Sequence, residues 1–274
     1  MTTFLAIVML ASPWAAPRHL VFGDGNKLVL WDVQKQSAST LPSLSSVFVR
    51  QAVATADGTQ VFLIGESPVD HASSLYRWDG TAEHQPTRLG DSHGYHGQLS
   101  LSPDEKWIYF TFHEHGGPLG NHAEGAYQQL YRIKVDGQGI ERLTNGEGCR
   151  LGSCPLRGSH SALVLHANCN GASALETIDL ATKEVKAAAR ETGRFYAVDA
   201  APDGKSALIL TSSVSGASVL EWNSSDGQLS PRAELGFGAS AQPRYGRTRS
   251  EVLYWDGQQV KVATFSTSLK EVRR

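Results

Sequence analysis

The chain has 274 residues, 41% apolar and 19% charged, with 25 Lys and Arg against 27 Asp and Glu for a formal charge of −2. That balance excludes a disordered polar chain, and the scatter of the basic residues excludes the basic stripe of a nucleic-acid binder. The 27 glycines and 11 prolines fit many short strands joined by tight turns.

At the N-terminus, Thr3 to Ala16 is an apolar run ending in small residues, as in the h-region of a secretory signal. No Lys or Arg precedes it and Pro17 follows directly, so the same residues also read as a buried strand. On the first reading residues 1–16 are a signal peptide and the mature chain is periplasmic or secreted. On the second, the first inner strand lies around Ala11 to Pro17 and the chain stays cytoplasmic. The run is shorter than the roughly 20 apolar residues that span a bilayer, so no stable membrane insertion is expected.

From there on the chain repeats itself. Ala56-Asp57-Gly58, Pro103-Asp104-Glu105 and Pro202-Asp203-Gly204 each precede an apolar segment and mark a tight turn between two strands. A second signature is a strand closing on an aromatic or aliphatic residue, in most copies followed by Asp or Asn: Trp31-Asp32, Trp78-Asp79, Ile133, Ile178-Asp179 and Trp222-Asn223, with a degenerate copy at Val262. The steps between these positions are 47, 55, 45, 44 and 40 residues, the period of a four-stranded propeller blade. Short polar strands close the copies, at Ser39–Leu41, Thr87–Leu89, Glu141–Thr144, Glu184–Lys186, Arg232–Leu235 and Lys270–Val272. Polar character suits an outermost edge. The prediction is an all-β, six-bladed β-propeller of four-stranded antiparallel blades. Residues 17–274 form one domain, with blades near 12–43, 44–92, 93–148, 149–193, 194–238 and 239–274.

The run from Gly97 to Thr144, with its Ser-Pro-Asp turn and its Leu130-Tyr131-Arg132-Ile133 strand, resembles the repeat of TolB and of the propellers attached to prolyl-oligopeptidase-type peptidases. Blade 4 departs from it with Arg157-Gly158-Ser159-His160 at the turn, and blade 6 with Gly246-Arg247-Thr248-Arg249. The resemblance implies a non-catalytic scaffold of the cell envelope that binds a protein or peptide partner. The one G-x-S-x-G, Gly90-Asp91-Ser92-His93-Gly94, falls at the junction of blades 2 and 3 and opens no helix, so the peptidase of those relatives is not expected, and there is no P-loop or dinucleotide motif.

Two groups of residues stand out for chemistry. His113 and His115 share a face if their strand continues, and His122 follows in the long insertion of blade 3; His93 and His96 precede that blade's inner strand. Such histidines are able to hold a divalent metal, the one cofactor the sequence offers, and would make the chain a metal-dependent lyase or hydrolase. Solvated histidines on an exposed loop are the simpler expectation, and the insertion itself is the natural place for recognition. Arg244, Arg247 and Arg249 fall on or near the inner strand of blade 6, where a charge lining the channel would meet an anionic ligand or a peptide carboxylate. The equivalents of Arg247 in blades 2, 3 and 5 read as Asp57, Asp104 and Asp203, so no basic ring repeats and salt links between blades explain these arginines as well.

Trp31, Trp78, Trp107 and Trp222 are expected at matching strand positions as packing between sheets, with a carbohydrate-stacking surface as the alternative. Of three cysteines, Cys149, Cys154 and Cys169, the last two flank a hairpin turn near Ser159 to Ser161, which makes a bridge between them geometrically feasible. Small buried hydrophobes are the other reading.

Overall fold

In a computed structural model, the described residues are 19–24, 27–69, 72–89, 95–113, 128–145, 148–167, 173–189, 194–213, 216–235 and 243–265. They form six antiparallel sheets and no helix. Blade 1 holds β1 (His19–Asp24), β2 (Lys27–Asp32) and β3 (Ser37–Thr40). Blade 2 holds β4 (Phe48–Ala54), β5 (Val61–Glu66), β6 (Ser73–Trp78) and β7 (Thr87–Leu89). Blade 3 follows with β8 (Tyr95–Leu101), β9 (Trp107–His113), β10 (Gln128–Lys134) and β11 (Glu141–Arg142), and blade 4 with β12 (Cys149–Pro155), β13 (Ser161–Ala167), β14 (Ser173–Asp179) and β15 (Val185–Ala187). Blade 5 is β16 (Phe195–Ala200), β17 (Ser206–Ser213), β18 (Gly216–Asn223) and β19 (Leu229–Leu235); blade 6 is β20 (Arg244–Tyr245), β21 (Glu251–Trp255) and β22 (Val260–Thr264).

Trp31 lies on β2 as Trp78 lies on β6 and Trp222 on β18, so the described strands of blade 1 are its second, third and fourth. The expected inner strand of blade 1 and the expected outer strand of blade 6, Lys270–Val272, lie outside the described residues.

Burial follows position in the blade. Second strands are covered by neighbouring sheets on both faces and are apolar almost throughout: five of the six residues of β5 are buried. Outer strands β3 and β15 are exposed along their whole length. One apolar cluster fills each seam, and the sixth closes the ring by packing Phe22 and Val33 of blade 1 on Leu253 and Trp255 of blade 6.

Two turn chemistries repeat. Between first and second strands, Asp57 and Asp203 accept the amides of Thr59 and Lys205 at 3.0 and 2.9 Å, while Gly58 and Gly204 take φ of 73° and 69°. Blade 3 places Glu105 there at φ 56°, a conformation that costs a non-glycine residue about 1–2 kcal/mol. Between third and fourth strands, Asp32, Asp79, Asp179 and Asn223 each fold back on amides two or three residues ahead. The Asp or Asn after the third strand is thus a turn cap.

The tryptophans divide. Trp222 donates its indole N–H to the Ala188 carbonyl of blade 4 at 3.0 Å, and Trp78 donates to Thr81 and His84. Trp107 departs from the expected equivalence: it opens the second strand β9 and lies under the Arg132 guanidinium, 4.4 Å from its ring centre. Trp222→Phe is expected to lower stability by about 1–2 kcal/mol through the lost bond and lost volume, read as a lower urea midpoint at unchanged slope.

The expected Cys154–Cys169 pair also meets a different register. The hairpin pivots on Leu156–Ser161, so Cys154 faces Leu163 and Cys149 faces Ala167. Cys149 and Cys154 are free thiols, and Cys169 lies outside the described residues.

Candidate functional site

The inner strands share an irregularity. In β4, β12 and β16 the ladder slips by one residue, between Val49 and Gln51, Arg150 and Gly152, and Phe195 and Ala197. In β8 three residues, Gly97, Gln98 and Leu99, stand against one. A bulge takes its extra residue out of the ladder and re-aims its side chain. Here the extra residues are Arg50, Leu151 and Tyr196, and with Gly97 and Gln98 they surround a cavity of about 250 Å³ in the axial channel. Gly97 sits at φ 75°, and a methyl group there would lie 2.2 Å from Thr111 Oγ1, so glycine is required.

This chamber opens at the end of the ring where β4, β8, β12 and β16 begin. Its rim carries exposed aromatic surface: Tyr196 is 53% exposed and Phe48 46%. The Arg50 guanidinium lies 4.9 Å over the Phe48 ring and bonds Glu66 through Nε at 2.9 Å. Deeper in, Gln98 spans blade 4 and pairs with the Val198 backbone of blade 5, accepting its N–H at 2.9 Å and donating to its carbonyl. Gly152 makes the room for it, since a methyl group there would lie 2.8 Å from Gln98 Cβ.

A second cavity of about 200 Å³ occupies the other half of the channel, lined by the turn residues Pro103 and Pro202 and by Pro155 at the end of β12, together with Cys154, Asp199 and Arg244. Burial pushes the Cys154 thiol well up and keeps it neutral. Burial likewise raises the Asp199 carboxyl, against the opposing pull of Arg244 and the Tyr245 amide.

Arg244 lies on β20, is buried, and borders both cavities, with Nη1 2.8 Å from Asp199 Oδ1. Arg247 and Arg249 lie in the turn after β20 and line neither cavity; Arg247 bonds Glu251 at 3.1 Å and Arg249 bonds Glu221 at 3.0 Å. The turn register sets Thr248, not Arg247, level with Asp57, Asp104 and Asp203, because Gly246 pairs with Glu251 as Ala201 does with Ser206. His113 ends β9, opposite Gln128, and His96 lies on β8. His93, His115 and His122 lie outside the described residues. Among the described residues no group of three His, Cys, Asp or Glu is placed to hold a metal ion, and no helix is long and apolar enough to cross a membrane.

Arg50, Tyr196, Gln98 and Asp199 escaped the sequence reading. The available signal was an Arg and an aromatic interrupting apolar inner strands, but their aim depends on bulges that have no sequence mark of their own.

The fold and this channel define the chain as a six-bladed β-propeller, with no peptidase domain among the described residues. No family model matches the chain, and no curated protein matches it in sequence. Among solved structures, a chain of the nidogen/laminin complex superposes with a TM-score of 0.68 at 13% identity, over 90% of this chain and 89% of that one. A putative TolB from Agrobacterium tumefaciens gives 0.67 at 14%, over 92% and 88%. An oligogalacturonate lyase in complex with manganese gives 0.61 at 14%, over 91% and 74%. At these identities the likeness is one of fold.

Proposed function

We propose that residues 17–274 form an exported, non-enzymatic propeller that recognises a protein or peptide partner at the channel mouth formed by the starts of the inner strands. The observation that carries this reading is the rim: bulges present Tyr196 and Arg50 to solvent beside Phe48, around a cavity. Aromatic side chains and Arg are the residues enriched where protein partners bind. The TolB-type likeness supports an envelope setting, and the nidogen/laminin likeness shows the same scaffold in a protein complex.

Random heptapeptides displayed on phage and panned against the protein are expected to yield a binding set. Its affinity should fall at least tenfold in Tyr196→Ala and in Phe48→Ala, and hold in Val262→Ala, which is exposed away from the rim. Enrichment indifferent to both rim changes would defeat the reading. N-terminal sequencing of the expressed protein tests the export.

A metal-dependent lyase or hydrolase is the second reading, supported by the lyase likeness and by His113 ending β9 at the same end of the ring as the mouth. A stoichiometric manganese or zinc ion in the purified protein would favour it.

A further inference from the structure

We infer that the chamber beneath the rim is a carboxylate site, which deepens the peptide-binding reading and rests on it. The argument is one of charge placement. Two arginines, Arg50 and Arg244, line the chamber, and no Asp or Glu is among its described lining residues. Both arginines have carboxylate partners, but those partners stand elsewhere. Glu66 pairs with Arg50 from outside the chamber. Asp199 pairs with Arg244 from the opposite half of the channel and lines only the lower cavity. Of that pair, only the cationic member reaches the chamber.

Arg244 is buried, so its field acts in a low-dielectric, narrow space where a charge is poorly screened. Gln51 and Gln98 also line the chamber. The bulged residues Arg50, Leu151 and Tyr196 bring backbone removed from the ladder to its wall. A volume of about 250 Å³ admits the end of a peptide and not a folded domain. The occupant is thus the carboxylate of an extended peptide, carried either on its C-terminus or on an Asp or Glu side chain, with flanking residues on Tyr196 and Phe48.

The test uses the full chain, immobilised, and three tripeptide mixtures. One has free C-termini and no Asp or Glu, one is amidated with a single Asp or Glu, and one is amidated with neither. Retention of the first or second at least tenfold above the third is expected, and the preferred mixture identifies the source of the carboxylate. Retention should fall with rising salt, because the attraction is between full charges. Arg50→Gln, on the exposed rim, should reduce the retained fraction at least fivefold while leaving the melting temperature within 2 °C of wild type, as expected roughly for a surface change. Arg244→Gln strips Asp199 of its buried partner and risks the fold, so Arg50→Gln is the deciding variant. Equal retention of all three mixtures would overturn the carboxylate site and leave the peptide-binding mouth standing. Retention of none would overturn both.

Discussion

Gly152→Ala is expected to destabilise the protein by about 3 kcal/mol, although it adds one methyl group to a strand and requires no change of φ. The added carbon would lie 2.8 Å from Gln98 Cβ and 2.9 Å from its Oε1. The first contact is with the root of the side chain, so rotating the far end cannot relieve it. Gln98 must then leave the Val198 N–H and carbonyl, both bonded to it across blade 4. Each orphaned buried group costs about 1–3 kcal/mol. For a chain of this size the expected fall in melting temperature is about 6–12 °C by calorimetry. A double-mutant cycle separates this cause from general crowding. In a Gln98→Ala background the side-chain bonds are already absent and only the contact with Cβ remains, so Gly152→Ala should there cost less than in wild type. Additive losses would show that the bridge is not what Gly152 protects.

Glu221→Gln is the second large effect, at about 3 kcal/mol near neutral pH, within the range for breaking a buried ion pair from one side. Glu221 is buried and receives Arg249 Nε at 3.0 Å, the Tyr245 hydroxyl at 3.1 Å, and Arg232. Arg232 reaches it because the ladder between β18 and β19 slips there, setting Val219 opposite Ala233 and Leu220 opposite Pro231. Burial pushes the Glu221 carboxyl up, and the two guanidinium groups more than offset it, holding the group below its ordinary value. Because the folded value is the lower one, the stabilisation is complete above the unfolded value of about 4.3 and is lost as the pH falls through the folded value. The gap between urea melts of wild type and Glu221→Gln should therefore narrow as the pH falls below about 4.3. A constant gap from pH 7 to pH 3 would show that the charge is not what matters.

Much of the fold was legible because propeller blades write their register into the chain. The third-strand Asp or Asn is needed to cap a turn, and the Asp-Gly pair before a second strand is needed to make one, so both recur at blade spacing. Where another residue meets the same need, the signature fades: blade 3 uses Glu105 in the left-handed position, and blade 4 moves its glycine to Gly158. Trp107 was misplaced because an aromatic before an apolar run looks alike on a second or a third strand. Cys154 was set against Cys169 because the turn was centred between Ser159 and Ser161, and a shift of the pivot toward Leu156 changes every facing pair.

The site was far less legible. Of the three arginines singled out, only Arg244 borders either cavity; the other two lie in the turn that follows it, Arg247 bonding Glu251 and Arg249 reaching Glu221 of blade 5. Gln98 gave no local hint at all, since its partner Val198 is 100 residues away and is met through backbone atoms. Long-range backbone recognition of that kind carries no pattern in a single sequence.

The slipped residues of β4, β12 and β16 have one more consequence. A position that stands outside the ladder does not set its register, so where it also stays out of a seam its identity is free to vary while the sheet stays as it is. Arg50 and Tyr196 are two such positions, whereas Leu151 also packs against the seam between blades 4 and 5. On the proposed function, specificity and foldability are thereby separated, and the mouth is open to rewriting for a different ligand by exchanging those two side chains without redesigning a single blade.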